Sequence, residues 1–239
     1  DLIFKNSMTF IIAIQLNDSV IVTADNKEIV LKKGEKIPYL ENFIYKIHSW
    51  DKGMITGTGE SNLIKISVAL FKEFDGLKVD ELPTYLEISK NIREIELGTD
   101  YFQVQNTKLI CSNYSEYGAQ LYKIECFEPS SPYTLTAIEP MNITVWMFNP
   151  NINTIYTDLQ SLYTGLKDAS TFLNQVDWIN YYINRLAPIY QQQSQVDAFM
   201  SQSFDFFFQT KDEYFTGHIP NTQKTTLEFK EISSNIKTI

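Results

Sequence analysis

Hydrophobic residues form short continuous runs near the start of the chain. Residues 9–16 and 20–25 are two apolar, β-branched runs, and the turn-forming residues 17–19 between them predict a hairpin. Because neither run alternates with polar residues, we expect strands that are buried on both faces. Residues 42–48 and 53–58 predict a second pair of strands.

Two amphipathic helices are predicted after these strands. The first has apolar residues at helical spacing, with Ser61 as its cap and Gly76 as its end. The second spans residues 80–97, with Pro83 in its first turn and Gly98 after its last residue. Both place their apolar residues on one stripe, as helices that cover a sheet do.

The second half of the chain repeats this order of strands and helices. It predicts strands first, then a helical stretch to about residue 199 that Pro188 should kink or interrupt, then strands again. The predicted strands are 101–112, 118–127, 142–149, 203–209 and a last run near 226–229. Blocks of strands separated by helix pairs exclude a singly alternating βαβ fold. They predict an α+β fold, a four-layer αββα sandwich of two mostly antiparallel sheets flanked by helix pairs.

Composition narrows the class of protein. With nine Gly, eight Pro and no low-complexity linker, residues 9–239 predict one domain, preceded by an N-terminal extension of residues 1–8. A net charge of −9 argues against a nucleic-acid partner, and no apolar run is long enough to span a membrane. The two Cys and two His lack the spacing of a zinc site. We therefore expect a cytoplasmic protein with no metal and no cofactor.

The first hairpin resembles that of proteasome β subunits and their bacterial relatives, which belong to the N-terminal-nucleophile hydrolases. In that family a Thr opens the first strand and an acidic residue ends the second, sixteen positions later, as Thr9 and Asp25 do here. A strand Lys and a Gly-containing turn before the first helix follow in the family, as Lys46 and residues 54–59 do here. The start Met8-Thr9-Phe10 resembles that of the bacterial proteasome-related proteins, in which Thr follows the initiator Met.

Later segments carry a looser resemblance to the same family. Residues 109–125 are similar to its strand, Gly turn and strand, and residues 197–203 are similar to its Asp-Ala-Tyr-Ser-Gly-Gly-Ser motif. The likeness implies that Asp197 supports the amine of the nucleophile. Met200 stands where the family has a supporting Ser, and Ser201 follows it. The family's Gly-Ser-Gly motif has no convincing counterpart.

The resemblance implies a chemistry for these residues. Thr9 would attack a carbonyl through Oγ and use its own α-amine as the base. Lys46 would favour the neutral amine, Asp25 would orient Lys46, and Gly57 would offer a backbone N–H to the oxyanion. The implied activity is hydrolysis of peptide or amide bonds by a threonine nucleophile. The implied partners are a peptide or protein substrate and further copies of the chain in a homo-oligomer.

Residues 1–8 leave the function open, because the nitrogen of Thr9 is an amide while they are attached. Residues 1–7 could be left from recombinant expression, with Met8 as the natural start, or residues 1–8 could be a propeptide. The chain could instead keep them as a catalytically inactive subunit that assembles or binds a partner. A small-molecule acylase on the same fold is a further alternative.

Overall fold

Strands and helices follow one another in blocks. The structure, a computed structural model, describes residues 3–7, 9–32, 40–74, 78–223, 226–231 and 235–236. The strands are β1 (Ile3–Ser7), β2 (Ile11–Gln15), β3 (Val20–Asp25), β4 (Lys27–Lys32), β5 (Leu40–Phe43), β6 (His48–Trp50), β7 (Gly53–Glu60), β8 (Lys108–Ser115), β9 (Gly118–Glu125), β10 (Thr134–Ala137), β11 (Asn142–Trp146), β12 (Phe204–Gln209), β13 (Glu213–Ile219) and β14 (Asn235–Ile236). The helices are α1 (Ser61–Glu73), α2 (Leu82–Leu97), α3 (Phe102–Gln105), α4 (Tyr156–Thr164) and α5 (Gln175–Val196).

These strands form two sheets. The first has the order β10-β9-β8-β7-β1-β4-β5, with β6 also paired to β7, and the second has the order β11-β2-β3-β12-β13-β14. Every strand pair in the described chain is antiparallel. The predicted hairpin is the pair β2 and β3, in which Ile11 lies opposite Ala24.

Three apolar layers hold the sheets and helices together. Between the sheets, one face of β2 and β3 packs against β7, β8 and β9 through residues such as Ala13, Val22 and Ile110. The outer face of the second sheet packs under α4 and α5, and that of the first sheet under α1 and α2. The hairpin strands are therefore buried on both faces, as their continuous apolar runs predict. The predicted four-layer α+β sandwich is confirmed.

The predicted strand over residues 42–48 is wrong in its middle. The chain forms β5 and β6 there, but residues 44–47 between them have no regular structure, so Lys46 does not lie on a strand. The start of α1 also differs in detail, because Glu60 rather than Ser61 is the cap, accepting a hydrogen bond from the backbone N–H of Leu63. The predicted end of α1 at Gly76 lies outside the described residues.

Other differences arise where packing overrides local pattern. Residues 102–105 form the short helix α3 instead of the start of a strand, and residues 226–229 have no regular structure. The helix α5 continues through Pro188 without a break, between the buried residues Ala187 and Ile189. The prediction missed four longer strands, namely β1, β4, β10 and β13.

Candidate functional site

The head of β2 lies deep in the molecule. Thr9 is fully buried, and its backbone N–H donates to Oγ1 of Thr58 at 3.3 Å. The next carbonyl, that of Phe10, accepts hydrogen bonds from the backbone N–H of Asp25 at 3.1 Å and from the Tyr190 hydroxyl at 3.3 Å. The start of the strand is therefore fixed by β7, β3 and α5 together.

Asp25 ends β3 beside this point. Its Oδ1 accepts from the backbone N–H of Phe10 at 2.9 Å and from Nζ of Lys46 at 3.0 Å. Its Oδ2 accepts from the backbone N–H groups of Lys27 at 2.9 Å and Ser201 at 3.2 Å. One carboxylate oxygen thus links the ammonium group of Lys46 to the first peptide group after Thr9.

Lys46 is almost completely buried, with 4% of its surface exposed. Burial lowers the pKa of its ammonium group, while the charge and hydrogen bond of Asp25 act in the opposite direction. The carbonyl of Lys46 accepts from Oγ1 of Thr56 at 2.8 Å, which ties the irregular segment to β7. A buried lysine whose pKa is lowered by burial and whose ammonium group is paired with a carboxylate is the kind of group that active sites contain.

The loop before β12 carries Asp197 and Ser201. The backbone N–H of Ser201 reaches Asp25, and its hydroxyl accepts from the backbone N–H of Asn26 at 2.9 Å and donates to the carbonyl of Ser203 at 2.9 Å. Asp197 instead accepts from the backbone N–H of Phe199 at 2.9 Å, and burial raises its pKa. The structure therefore brings Ser201 to Asp25, whereas Asp197 holds its own loop.

Two glycines of β7 lie in different surroundings. Gly57 pairs with Leu109 of β8 and borders a small cavity beside Lys46, whose rim also includes His48 and Lys65. Gly59 has a φ of +125°, and a Cβ there would lie 2.4 Å from Oγ1 of Thr107. It also follows Thr58, the residue that contacts Thr9. Gly57 and Gly59 therefore flank the residue that contacts the head of β2, one on each side.

The N-terminal extension is part of the first sheet. The backbone of β1 pairs with β4, with Asn6 opposite Ile29, and with β7, with Ser7 opposite Gly59. It fills the gap between β4 and β7, which are joined in the described sheet only through β1. The strand ends at Ser7, two residues before Thr9, so the slot between β4 and β7 leads to the candidate nucleophile.

A larger cavity borders Thr58 and Gly59. Its volume is about 330 Å³, and it is lined by residues from α3, the start of β8, the end of β9 and the segment after β11, among them Phe102, Lys108 and Phe148. This cavity therefore borders Thr58, the residue that contacts Thr9.

Sequence reasoning missed Thr58 and Gly59. The signal available was the alternation Gly57-Thr58-Gly59 immediately before the start of α1, in which the second glycine stands closest to the helix. In the described part of the chain no group of three or more His, Cys, Asp or Glu side chains could hold a metal ion. Among the same residues, no helix has the length and apolarity needed to cross a membrane.

Comparisons of sequence identify no relative. No family model matches the chain, and no curated protein is significantly similar to it. The identification of the chain by sequence as a member of the proteasome β-subunit-like family is therefore corrected, because no comparison of sequence supports it.

Comparisons of structure do find related folds. The chain is similar to Anbu from Hyphomicrobium sp. strain MC1, with a TM-score of 0.53 at 10% identity over 84% of this chain and 82% of that one. It is also similar to the structure described as Anbu (ancestral beta-subunit) from Yersinia bercovieri, with a TM-score of 0.55 at 10% identity over 84% and 81%. The chain thus has the proteasome-like α+β fold of Anbu, and the likeness extends to the fold alone.

Proposed function

We propose that Thr9 is the nucleophile of an amide-bond hydrolase that becomes active when the Met8–Thr9 bond is broken. One observation carries this proposal. The Lys46 ammonium group and the backbone N–H of Phe10, the residue after Thr9, both donate to the carboxylate of Asp25. Breaking that bond converts the amide nitrogen of Thr9 into a primary amine, which is the base the reaction needs.

The proposed reaction has two steps. The Thr9 Oγ–H proton passes to the α-amine as Oγ bonds to the substrate carbonyl carbon, and the C–N bond then breaks as the leaving amine takes that proton. Water next cleaves the resulting ester, which gives a carboxylic acid and regenerates Thr9. The positive charge of Lys46 favours the neutral amine and stabilises the developing alkoxide.

Backbone N–H groups of the β7 glycines would bind the oxyanion. Gly57 remains the predicted donor, and Gly59 is added as a second one because it lies opposite Ser7 in the strand that leads to Thr9. The backbone N–H of Glu60 is less suited, since it already donates to Oγ1 of Thr107 at 2.9 Å.

An extended peptide is the proposed substrate. The slot between β4 and β7 already accepts one extended strand, β1, in antiparallel pairing on both sides. When β1 leaves, the two strand edges would be free to pair with the backbone of another peptide, whose carbonyl would arrive at Thr9. This feature favours a peptide over a small acyl amide, which has no backbone to pair along the slot.

Covalent labelling tests the proposal. A chain produced with Thr9 as its first residue should gain the mass of one β-lactone or peptide-boronate probe. A chain that begins with Ala at position 9 and a chain that retains residues 1–8 are the matched controls, and neither should be labelled. A folded Thr9-terminated chain that stays unlabelled would contradict the proposal. Comparing turnover of a peptide library with turnover of acyl amides then tests the substrate class.

A catalytically inactive scaffold is the second candidate. It is favoured by β1, which occupies the slot, and by the complete burial of Thr9. The intact mass of the protein from its natural source separates the two candidates. A chain that begins at Thr9 supports the hydrolase, and a chain that retains the residues before Thr9 supports the scaffold.

We also propose that copies of the chain assemble with one another. Three residues on the outer side of α2, Ile88, Ile92 and Ile95, are 43%, 38% and 86% exposed and recur at helical spacing. The similar structure from Yersinia bercovieri is described as a beta-subunit. Light scattering after gel filtration should give a mass that is a multiple of 27.7 kDa. A monomer at micromolar concentration would contradict this proposal.

A further inference from the structure

The segment that carries Lys46 depends on side chains for its position. Residues 44–47 form no strand, so a sheet ladder does not satisfy their backbone groups. Asn26 exchanges two hydrogen bonds with Ile44, through its carbonyl at 2.8 Å and its Nδ2 at 3.3 Å. Nδ2 of Asn26 also donates to Oδ2 of Asp205 at 2.7 Å, and the negative charge of Asp205 acts on the Lys46 ammonium group. The position of the Lys46 ammonium group therefore depends on Asn26, Thr56 and Asp205.

Asp205 is a buried acid in an otherwise aromatic stretch of β12. It lies between Phe204 and Phe206, and 5% of its surface is exposed. Its Oδ2 accepts from Nδ2 of Asn26 at 2.7 Å, and its Oδ1 faces Nδ1 of His218 at 2.9 Å. A buried carboxylate is costly unless such partners surround it. Burial raises the pKa of Asp205, while the hydrogen bonds from Asn26 and His218 act against that rise.

His218 connects this acid to solvent. It lies opposite Asp205 on β13, its side chain is 39% exposed, and it borders an open cavity of about 290 Å³. Since a carboxylate only accepts, Nδ1 of His218 carries the proton in this contact. In the described chain the titratable groups around the pair include Tyr45, whose ring lies 6.2 Å from the imidazole, and Lys46 and Tyr190, on which the charge of Asp205 acts.

We propose that Asp205 and His218 are positioning residues for Lys46, linking a solvent-exposed imidazole to the buried ammonium group of the site. The inference rests on the proposed function for its catalytic meaning, but the positioning itself is a property of the intact chain. Asp205 holds the side chain of Asn26, which binds Ile44 two residues before Lys46, and His218 fixes the carboxylate of Asp205.

Amide hydrogen exchange on the intact chain tests the positioning. The variants Asp205→Asn and His218→Leu should lower the protection of residues 44–47 on the order of tenfold or more. His218→Asn should restore it, because the Asn amide keeps a donor near the position of Nδ1. Asp18→Asn is the matched control, since Asp18 also accepts backbone hydrogen bonds, from Ala169 and Ser170, but at the opposite end of β2. It should leave residues 44–47 unchanged.

Rescue by His218→Asn separates positioning from general stabilisation, because only a side chain that keeps a donor at position 218 should restore the protection of residues 44–47. Equal protection in all variants would overturn the inference.

Acylation of the Thr9-terminated chain adds the catalytic test. The maximal rate of labelling should fall on the order of tenfold to a hundredfold in Asp205→Asn, with little change in probe affinity, because a displaced Lys46 affects the reaction more than binding. If the unsubstituted Thr9-terminated chain is not labelled, the proposed function fails, and the exchange experiment still decides the positioning. If it is labelled and Asp205→Asn is labelled equally fast, only the inference fails.

Discussion

Replacement of Lys46 by Met tests the electrostatic centre of the site. The ammonium group of Lys46 and the carboxylate of Asp25 are 3.0 Å apart, and their side chains are 3% and 0% exposed. Methionine is close to lysine in length and shape but carries no charge. The substitution therefore leaves the Asp25 carboxylate buried without its cation and opens little empty space.

The expected loss follows from the remaining contacts of Asp25. Removing one partner of a buried ion pair costs about 3–5 kcal/mol, because an uncompensated charge is left in the interior. Asp25 keeps three backbone donors, from Phe10, Lys27 and Ser201, so we expect the lower end of that range, about 3 kcal/mol. For a chain of this size that corresponds to a fall in Tm of roughly 6–12 °C.

Urea unfolding followed by tryptophan fluorescence measures this loss. Trp50 and Trp178 are buried in the cores of the two helix–sheet layers, so the emission reports on both halves of the sandwich. The matched control is Lys65→Met, whose ammonium group lies 3.3 Å from Glu28 but whose side chain is 46% exposed. That substitution should cost less than about 1 kcal/mol.

Two results would refute the reasoning. If Lys46→Met unfolds within about 1 kcal/mol of the unsubstituted chain, Asp25 does not depend on Lys46, and the pair has little electrostatic coupling. If Lys65→Met is destabilised as much as Lys46→Met, burial does not set the difference between the two pairs. Either result would also weaken the role of Lys46 in the proposed reaction.

Three further predictions follow from the same geometry. Because burial lowers the pKa of Lys46, the folded chain releases this proton at a lower pH than the unfolded chain does. The free energy of unfolding should therefore rise as the pH approaches 10.5, and this rise should be absent from Lys46→Met in parallel urea titrations. Gly59→Ala should destabilise more than Gly98→Ala in thermal melts: both glycines have positive φ, but only at Gly59 would the added Cβ collide, with Thr107. Arg93→Met should cost about 3 kcal/mol or more in urea unfolding, because it removes the cation paired with the buried carboxylate of Glu60. The guanidinium group donates to that carboxylate from Nε at 2.9 Å and from Nη2 at 3.1 Å. A variant as stable as the unsubstituted chain would contradict this prediction.

Elements with a strong local pattern could be predicted from the sequence. The hairpin of β2 and β3 carries continuous apolar runs and turn residues, and the helix α2 carries a Pro in its first turn and Gly98 after its last residue, so neighbouring residues determine them. Elements that are held by residues distant in the sequence could not be predicted in this way. β1 depends on β4 and β7, and the irregular segment with Lys46 is bound by Asn26, whose side chain contacts Asp205, more than 150 residues away. No window of local sequence contains those interactions.

The site combines both kinds of information. The contact between the head of β2 and Asp25 follows from hairpin register, because pairing Ile11 with Ala24 brings Asp25 next to Phe10. Any hairpin with these strand lengths and this turn would do the same, so the sixteen-residue spacing of Thr9 and Asp25 carries little chemical information alone. The Lys46 ammonium group is different, because hairpin geometry does not require it. The lysine is buried at that carboxylate, and the segment that carries it has no strand pairing. Removing a charged group from water costs free energy, so this burial is unusual. The case for a function at Thr9 therefore depends more on Lys46 than on Thr9 itself.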